Sequence, residues 1–254
     1  MQRDQLSTLR ADVLERARSA FAHMDEISEQ NTKKVLDVMR ACRVSDVHFN
    51  VSAGYAYSDL GREKLDEVYA RVFGAERALV RTQFVSGTHA LAAVLFGLLR
   101  PGDRLVSITG TPYDTMQTVI GWAHESCGSL KEFGVSYDEL PLREGHVDLD
   151  SIAHVMTPET KIALVQRSRG YSEREPLSIA DIRAVSARIK AANPNCIVFV
   201  DNCYGEFVET EEPTAIADVD IMAGSLIKNP GGGLAPTGGY IAGRSDLVEM
   251  ASYR

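Results

Sequence analysis

The sequence predicts an α/β domain of three layers, in which helices cover both faces of a mostly parallel β-sheet. Three observations predict this fold class. Between residues 77 and 243, short apolar runs alternate with segments of helical spacing, and this alternation is typical of a parallel sheet. Side chains suited to catalysis or binding recur where the apolar runs end. Before these runs lies a long helical segment, which we predict to be an N-terminal arm.

The N-terminal arm is predicted as helix over residues 4–43. Its apolar side chains recur at helical spacing, and charged residues occupy the other faces. We expect this arm to pack on a larger body or on a partner subunit. Residues 44–61 lose the periodicity and predict a loop rich in polar and aromatic groups. A second helix is predicted from Arg62 to Phe73, with Gly74 as its C-cap.

The remaining chain divides into predicted strands separated by helices and turns. The strands are expected within residues 78–85, 104–110, 130–142, 161–168, 196–204, 219–227 and 238–243. Helices are expected over residues 86–99, 148–156, 179–192 and 244–254. Residues 111–123 are expected to begin as a loop and continue as a further helix. Because ligands bind outside the carboxyl ends of strands in such sheets, the residues that follow the strands are the candidate site.

Composition limits the possible functions. The 254 residues are enough for one large domain or two small ones. The formal net charge is −8 without any basic run, which argues against nucleic acid and anionic membranes as partners. No stretch predicts a membrane span or a secretory signal. Four cysteines without a CxxC pair predict a cytoplasmic protein, and six histidines without ligand spacing predict no metal site.

Asp201 and Lys228 stand near the ends of two successive apolar strands, IVFVD and IMAGS. A lysine amine bonds to an aldehyde, and a carboxylate nearby keeps a pyridine nitrogen protonated. The pair therefore points to pyridoxal phosphate, with Lys228 forming a Schiff base and Asp201 pairing with the ring nitrogen. Taken alone, Asp201 is equally typical of a turn or helix cap. Lys228 taken alone is also compatible with a solvated surface lysine.

A phosphate site is predicted where Ser86-Gly87-Thr88 joins a strand to a helix. Glycine allows close approach of the backbone, and the free N–H groups and the helix dipole favour an anion. Ser225 can add a hydroxyl group. The alternative is that Ser86 is an ordinary helix cap. Tyr113 follows another strand, where its ring can stack on the cofactor.

Two further pairs of residues have open alternatives. Arg167 and Arg169 flank Ser168 after the strand KIALVQ, where they can hold a carboxylate or the ring oxygen of the cofactor. A solvated loop is nearly as compatible with this pattern. Tyr55 and Tyr57 lie in the early loop, where they can reach the phosphate of a neighbouring subunit or pack in an interface without touching the cofactor.

Several phrases of the sequence resemble one branch of the fold-type I pyridoxal-phosphate enzymes of cysteine and methionine metabolism. They are GYAYSDLGREKLDEVYARVFGAERALVR, SGTHAL, TGTPYDT, QRSRGY, FVDNCYGEF and AGSLIKNPGGGLAPTGGYIAGR. The branch is the methionine gamma-lyase family, also known by the names aluminium-resistance protein and cystathionine beta-lyase. The resemblance covers nearly the whole chain and implies the seven-stranded sheet of the large domain of these enzymes.

The resemblance also implies a domain division and roles for individual residues. Residues 1–50 are expected to form the helical arm and residues 51–254 the cofactor-binding large domain. Family members continue into a smaller C-terminal domain, which is expected to be missing here. The resemblance implies that Lys228 is the Schiff-base lysine and that Asp201 pairs with the ring nitrogen. The phosphate ligands it implies are Gly87, Thr88 and Ser225, and Tyr113 is implied to stack on the ring.

These expectations predict a pyridoxal-phosphate-dependent carbon–sulfur lyase that acts on a sulfur-containing amino acid. In that reaction Lys228 removes the α-proton, Tyr113 assists as an acid or base, and a thiol leaves from the β or γ carbon. Homodimers or homotetramers with shared active sites are the expected assembly. Two alternatives stay open. One is other pyridoxal-phosphate chemistry, such as that of an aminotransferase, aldolase or racemase, and the other is a non-catalytic fragment that acts as a binding partner.

Overall fold

The computed structural model describes residues 3–51, 59–122 and 127–254. Helix α1 (Arg3–Ala41) extends over 39 residues. Its C-terminal half is anchored to the rest of the protein, because Asn31 Nδ2 donates to the carbonyl oxygens of Phe207 and Glu209 at 3.0 and 3.1 Å. Val35 and Val38 pack there against the core. The predicted N-terminal helix is therefore confirmed, whereas the domain boundary at residue 50 stays a prediction.

Seven strands form one sheet in the order β1-β7-β6-β5-β4-β2-β3. The strands are β1 (Arg77–Arg81), β2 (Arg104–Ser107), β3 (Ser136–Glu139), β4 (Thr160–Gln166), β5 (Ile197–Asp201), β6 (Ile221–Ser225) and β7 (Gly239–Gly243). The central pairs are parallel, and β7 alone is antiparallel to both of its neighbours, β6 and β1. The predicted mostly parallel, seven-stranded sheet is confirmed.

Helices cover both faces of the sheet. The helices after α1 are α2 (Leu60–Val72), α3 (Gly87–Leu98), α4 (Asp114–Ile120), α5 (Ile152–Val155), α6 (Ile179–Ala192) and α7 (Ser245–Ala251). Alternate residues of the central strands enter two separate cores: Ala163 and Val165 of β4 face α2, α5 and α6, whereas Ile162 and Leu164 face α3, α4 and α7. This division gives the predicted three layers.

Local sequence signals set the ends of several helices. Ser178 Oγ accepts from the N–H of Asp181 at 3.1 Å, and the Asp181 carboxylate accepts from the N–H of Ser178 at 2.9 Å, which forms a capping box at the start of α6. Gly74 follows α2 with a φ of +67°, and its N–H donates to the carbonyl of Arg71. Glycine is favoured at this position because it adopts the left-handed conformation without steric cost.

One predicted helix and two predicted strands are shorter than the segments in which they are expected. The helix expected over residues 148–156 is a single turn, α5, because the Asp148 carboxylate accepts hydrogen bonds from the N–H and hydroxyl of Ser151 and forms a turn there instead. Strand β1 ends at Arg81 and not at residue 85. Strand β2 ends at Ser107, since the Ser107 hydroxyl donates to the Gly110 carbonyl at 2.6 Å and closes a turn.

Candidate active site

Asp201 and Ser225 end two neighbouring parallel strands, β5 and β6, at the same edge of the sheet. On the other side of β5, Gln166 ends β4 in register with Asp201. The N-terminus of α3 lies at the same edge, because a Cβ atom placed on Gly87 would lie 2.9 Å from Ser225 Cβ. Asp201, Ser225, Gln166 and Gly87 therefore lie together at one edge of the sheet.

Asp201 is a buried carboxylate with no charged partner at pairing distance among the residues that the structure describes. Its Oδ1 accepts from the N–H of Cys203 at 3.1 Å. Burial raises the pKa of Asp201, because an isolated charge is disfavoured away from water, and the hydrogen bonds from Cys203 and the positive charge of Lys228 oppose this shift only in part. A ligand group that carries a positive charge would stabilise the Asp201 carboxylate.

Lys228 follows β6 and begins a short 3₁₀ turn, Asn229–Gly231. Its Nζ lies 3.7 Å from the centre of the Tyr204 ring, and this cation–π contact keeps the amine at the edge of the sheet. Asn229 fixes the position of the loop, because its Nδ2 donates to the carbonyls of Tyr204 and Glu206, each at 3.0 Å. Segment 203–206 therefore contacts both residues of the pair: the Cys203 N–H donates to Asp201, and the Tyr204 ring contacts Lys228.

The predicted phosphate turn combines a helix cap with an unpartnered hydroxyl. Ser86 Oγ accepts from the N–H of His89 at 3.2 Å, which is the ordinary cap that was the alternative for this residue. Thr88 Oγ1 lies 3.1 Å from Thr115 Oγ1. Ser225 Oγ is buried and has no hydrogen-bond partner within the described ranges. A buried hydroxyl without a partner is costly, so Ser225 marks a place where a polar ligand would be stabilised.

Tyr113 precedes α4 and is half-buried beside the phosphate turn. Its N–H donates to Gln166 Oε1 at 3.3 Å. Burial, and next the charge of Asp201, raise the pKa of the Tyr113 hydroxyl, so the side chain stays protonated at neutral pH. The same causes raise the pKa of the Cys203 thiol, which lies beside Asp201.

The structure separates the two arginines that the sequence left undecided. Arg167 is buried, and its guanidinium donates to Asn202 Oδ1 at 2.9 Å, to the Gly205 carbonyl at 2.8 Å and to Glu209 Oε1 at 2.7 Å. Internal groups thus occupy this side chain. Arg169 is exposed, and no described residue pairs with its guanidinium. It lines a cleft between the segments 167–178 and 203–209.

A buried polar network behind Asp201 was missed at the sequence level. Tyr240 Oη donates to Glu206 Oε1 at 2.7 Å, and Asn202 Nδ2 donates to Glu212 Oε2 at 3.0 Å and to Tyr240 Oη at 3.3 Å. Burial raises the pKa of Glu206 to about 8. Glu206 Oε2 has no partner within the described part of the chain. The sequence signal for this network is limited to Glu206 and Glu212, which follow the apolar strand β5 along the chain.

Two predicted site residues stay without a structural test. Tyr55 and Tyr57 lie outside the described residues, so their proposed reach into a neighbouring subunit stays a prediction. No helix of the described residues is long and apolar enough to cross a membrane.

Comparisons with known proteins agree with the resemblance found in the sequence. A family model described as methionine gamma-lyase matches residues 6–254. The Bacillus subtilis protein YnbB, which is uncharacterized, is 51% identical over 233 residues, covering 91% of this chain and 55% of the relative. An L-methionine gamma-lyase of Pseudomonas putida is 28% identical over 78% of this chain and 45% of its own length.

Solved structures show the same relationship. A carbon–sulfur lyase involved in aluminium resistance from Clostridium novyi superimposes with a TM-score of 0.93 at 46% identity, covering 98% of this chain and 60% of that one. A pyridoxal-5′-phosphate-dependent protein of Escherichia coli, YhfS, shares the fold alone, with a TM-score of 0.68 at 19% identity over 91% of this chain and 58% of that one. This chain therefore spans 55–60% of the length of these nearer relatives.

Proposed function

Because this chain belongs to the methionine gamma-lyase family, we propose that it is the large domain of a pyridoxal-phosphate-dependent carbon–sulfur lyase. The reaction would eliminate a thiol from a sulfur-containing amino acid and leave a keto acid and ammonia. The observation that carries the proposal is the meeting of Asp201, Lys228 and the unpartnered Ser225 hydroxyl at one edge of the sheet.

The residues at this edge fit pyridoxal phosphate. The cofactor has an anionic phosphate, a ring nitrogen that binds a proton and an aldehyde. The N-terminus of the 12-residue helix α3 and the Ser225 hydroxyl suit the phosphate. The buried Asp201 carboxylate suits a protonated ring nitrogen, and the Lys228 amine suits the aldehyde. When bound, the cofactor supplies an electron sink that stabilises negative charge at the α-carbon of the substrate.

The side chains of this protein would then perform distinct tasks. Lys228 Nζ would hold the cofactor and, once released, take the α-proton of the substrate. Asp201 Oδ1, fixed by the N–H of Cys203, would hold the proton on the ring nitrogen. Tyr113 Oη would serve as a hydrogen-bond donor, because its raised pKa keeps the hydroxyl protonated, and the Tyr113 ring would stack on the cofactor. The alternative role of Tyr113 as a base would be disfavoured for the same reason.

The lysine assignment is tested by adding pyridoxal phosphate and recording the absorbance of the protein-bound cofactor. We expect the band of the lysine-bound form with the wild type and its loss in Lys228→Ala. Lys161→Ala, an exposed lysine on β4, is the matched control and should retain the band. A wild-type protein that shows no band would contradict the cofactor assignment.

The two alternatives predict different outcomes. Other pyridoxal-phosphate chemistry would convert alanine or another sulfur-free amino acid, whereas the lyase releases thiol and keto acid from methionine, cystathionine or a related thioether. A non-catalytic fragment would bind the cofactor and convert no amino acid, even in a chain extended to the length of its relatives. Product analysis with these substrates separates the three proposals.

We further propose that the protein assembles as a homodimer or homotetramer. Helix α1 presents, before its anchored part, an exposed apolar stripe of Leu6, Leu9, Val13, Leu14, Phe21 and Met24. Such a stripe is typical of a surface that a second copy covers. Light scattering should give a multiple of the mass of one chain, and Leu9→Asp with Phe21→Asp should lower it. The cytoplasm stays our predicted location.

A further inference from the structure

A cleft of about 660 Å³ opens between the segments 167–178 and 203–209. Its apolar walls are Pro176, Leu177 and Val208, and its charged lining residues are Arg167, Arg169 and Glu209. A combination of apolar walls with a few charged groups is typical of a small-molecule site.

The cleft borders the candidate active site at two points. Tyr204, which lines the cleft, has the Lys228 amine 3.7 Å from the centre of its ring. Gly170 lines the opposite side, and a Cβ atom placed there would lie 3.8 Å from Tyr113 Cβ. A substrate whose reacting end is at Lys228 can therefore extend its other end past Tyr204 into the cleft.

The charges of the cleft leave one cation available. Arg167 and Glu209 pair at 2.7 Å, and Glu209 also accepts from the N–H of Ile179 at 2.8 Å. The Arg167 charge is therefore shared between Glu209 and Glu212, the latter at 3.8 Å. The guanidinium of Arg169 has no acceptor among the described residues, while its backbone is held because the Arg169 carbonyl accepts from Ser172 Oγ at 2.6 Å. Arg169 thus presents a bidentate donor to the cleft, and the other charged residues that are described there are paired with each other.

We propose that this cleft is the subsite for the leaving group of the substrate and that Arg169 binds a carboxylate on the departing thiol. The inference rests on the proposed lyase function and narrows its substrate class. The preferred substrates would be thioether amino acids whose sulfur carries a carboxylate-bearing chain, with the apolar walls contacting its methylene groups. Of the two ligands that the sequence left open for Arg169, this assigns a carboxylate rather than the ring oxygen of the cofactor.

The subsite is tested with pairs of substrates that differ only in the charge of the leaving group. S-(2-carboxyethyl)-L-cysteine is compared with S-propyl-L-cysteine, and the homocysteine analogues cover elimination from the γ carbon. With the cofactor-loaded protein, Arg169→Gln should raise KM for the carboxyethyl substrates by roughly tenfold to a hundredfold, the usual range for losing a charged hydrogen bond. The KM for the propyl substrates and both kcat values should stay within about twofold.

Two controls accompany this variant. Arg169→Lys keeps the positive charge and should recover part of the preference for the carboxyethyl substrates. Arg188→Gln removes a guanidinium from α6 outside the cleft and should leave both KM values unchanged. An equal rise of KM for charged and neutral substrates, or a loss of cofactor affinity in Arg169→Gln, would overturn the proposal.

A binding measurement separates the subsite from the lyase function. 3-(Methylthio)propionate contains the carboxylate and thioether of the leaving group and cannot undergo the reaction. Titration calorimetry with the cofactor-loaded protein should show binding to the wild type that weakens at least about tenfold in Arg169→Gln. If no thioether reacts but this difference is found, Arg169 is a carboxylate-binding residue, and the lyase proposal fails together with the leaving-group role of the cleft. Equal affinities for wild type and variant overturn the subsite, even if the elimination proceeds.

Discussion

Two groups of polar side chains near the candidate site differ in how their hydrogen-bonding groups are used. Arg167 after β4 and Asn202 after β5 find partners inside the protein. The Ser225 hydroxyl at the end of β6 has no partner in the described ranges, and the Lys228 amine faces the Tyr204 ring. The first group therefore stabilises the fold, whereas the second is available for a ligand. Substitutions at the first should lower stability, and substitutions at the second should lower ligand affinity.

Arg167→Ala is expected to have the largest effect on stability. It leaves the buried Asn202 oxygen and the carboxylates of Glu209 and Glu212 without their cation. Breaking a buried ion pair in this way typically costs about 3–5 kcal/mol. Urea denaturation should show this loss, while Arg183→Ala, whose partner Glu211 is exposed, should cost less than about 1 kcal/mol. Similar losses of unfolding free energy in Arg167→Ala and Arg183→Ala would contradict the expected difference between a buried and an exposed ion pair.

Glu206 should make stability depend on pH. Burial raises its folded pKa to about 8 from an ordinary value near 4.5, so the folded protein retains a proton that the unfolded chain releases. This contribution is complete below the unfolded pKa and is lost as the pH rises toward 8, at up to roughly 1 kcal/mol for each pH unit. The buried Asp201 and Glu212, whose pKa values are also raised, act in the same direction.

Unfolding by urea at pH 5, 6, 7 and 8 measures this dependence. In Glu206→Gln the decline of stability between these pH values should be smaller than in the wild type, because the amide does not titrate. An unchanged slope in Glu206→Gln would show that Glu206 is ionised in the folded protein.

Gly87→Ala tests the close contact between the two regions. The added Cβ atom would lie 2.9 Å from Ser225 Cβ and 3.3 Å from Cys203 Sγ, so the start of α3 would have to shift. We expect a loss of about 1–3 kcal/mol in thermal or urea unfolding, as is usual for overpacking. An ordinary glycine-to-alanine change in a helix instead stabilises by up to about 1 kcal/mol, so a gain in stability would refute the contact.

Ser225→Ala should have the smallest effect on stability and a clear effect on binding. Removal of a buried hydroxyl that has no partner among the described residues should raise the unfolding free energy of the cofactor-free protein by about 1 kcal/mol, because an unpaired buried polar group is costly. The dissociation constant for pyridoxal phosphate should rise by roughly tenfold. Ser186→Ala is the control with the opposite expected result. Its hydroxyl donates to the Arg183 carbonyl at 3.1 Å far from the site, so its removal should lower stability and leave the affinity for pyridoxal phosphate unchanged.

The sequence predicted the sheet and the strand-end residues because both follow from local patterns. Apolar runs and turn residues identify β5 and β6, and the parallel topology then brings Asp201 and Ser225 to one edge. The pattern did not separate Arg167 from Arg169. Both stand in the same loop with the same chemistry, and only the folded chain shows that Glu209 and Asn202 lie beside one of them.

The buried network could not be predicted for a related reason. Tyr240 and Glu206 are 34 positions apart, and their hydrogen bond depends on the antiparallel pairing of β7 with β6. Side-chain pairs of this kind have no local sequence signature. The helix predicted over residues 148–156 is also shorter in the structure. The Asp148 side chain forms a turn that competes with the start of this helix.

The proposed bond between Lys228 and the cofactor can be tested by chemical trapping. The protein is incubated with pyridoxal phosphate, reduced with borohydride, digested and mapped by mass spectrometry. We expect the pyridoxyl group on Lys228 at near-stoichiometric yield. Modification distributed over exposed lysines such as Lys33 and Lys161, with Lys228 unmodified, would contradict it.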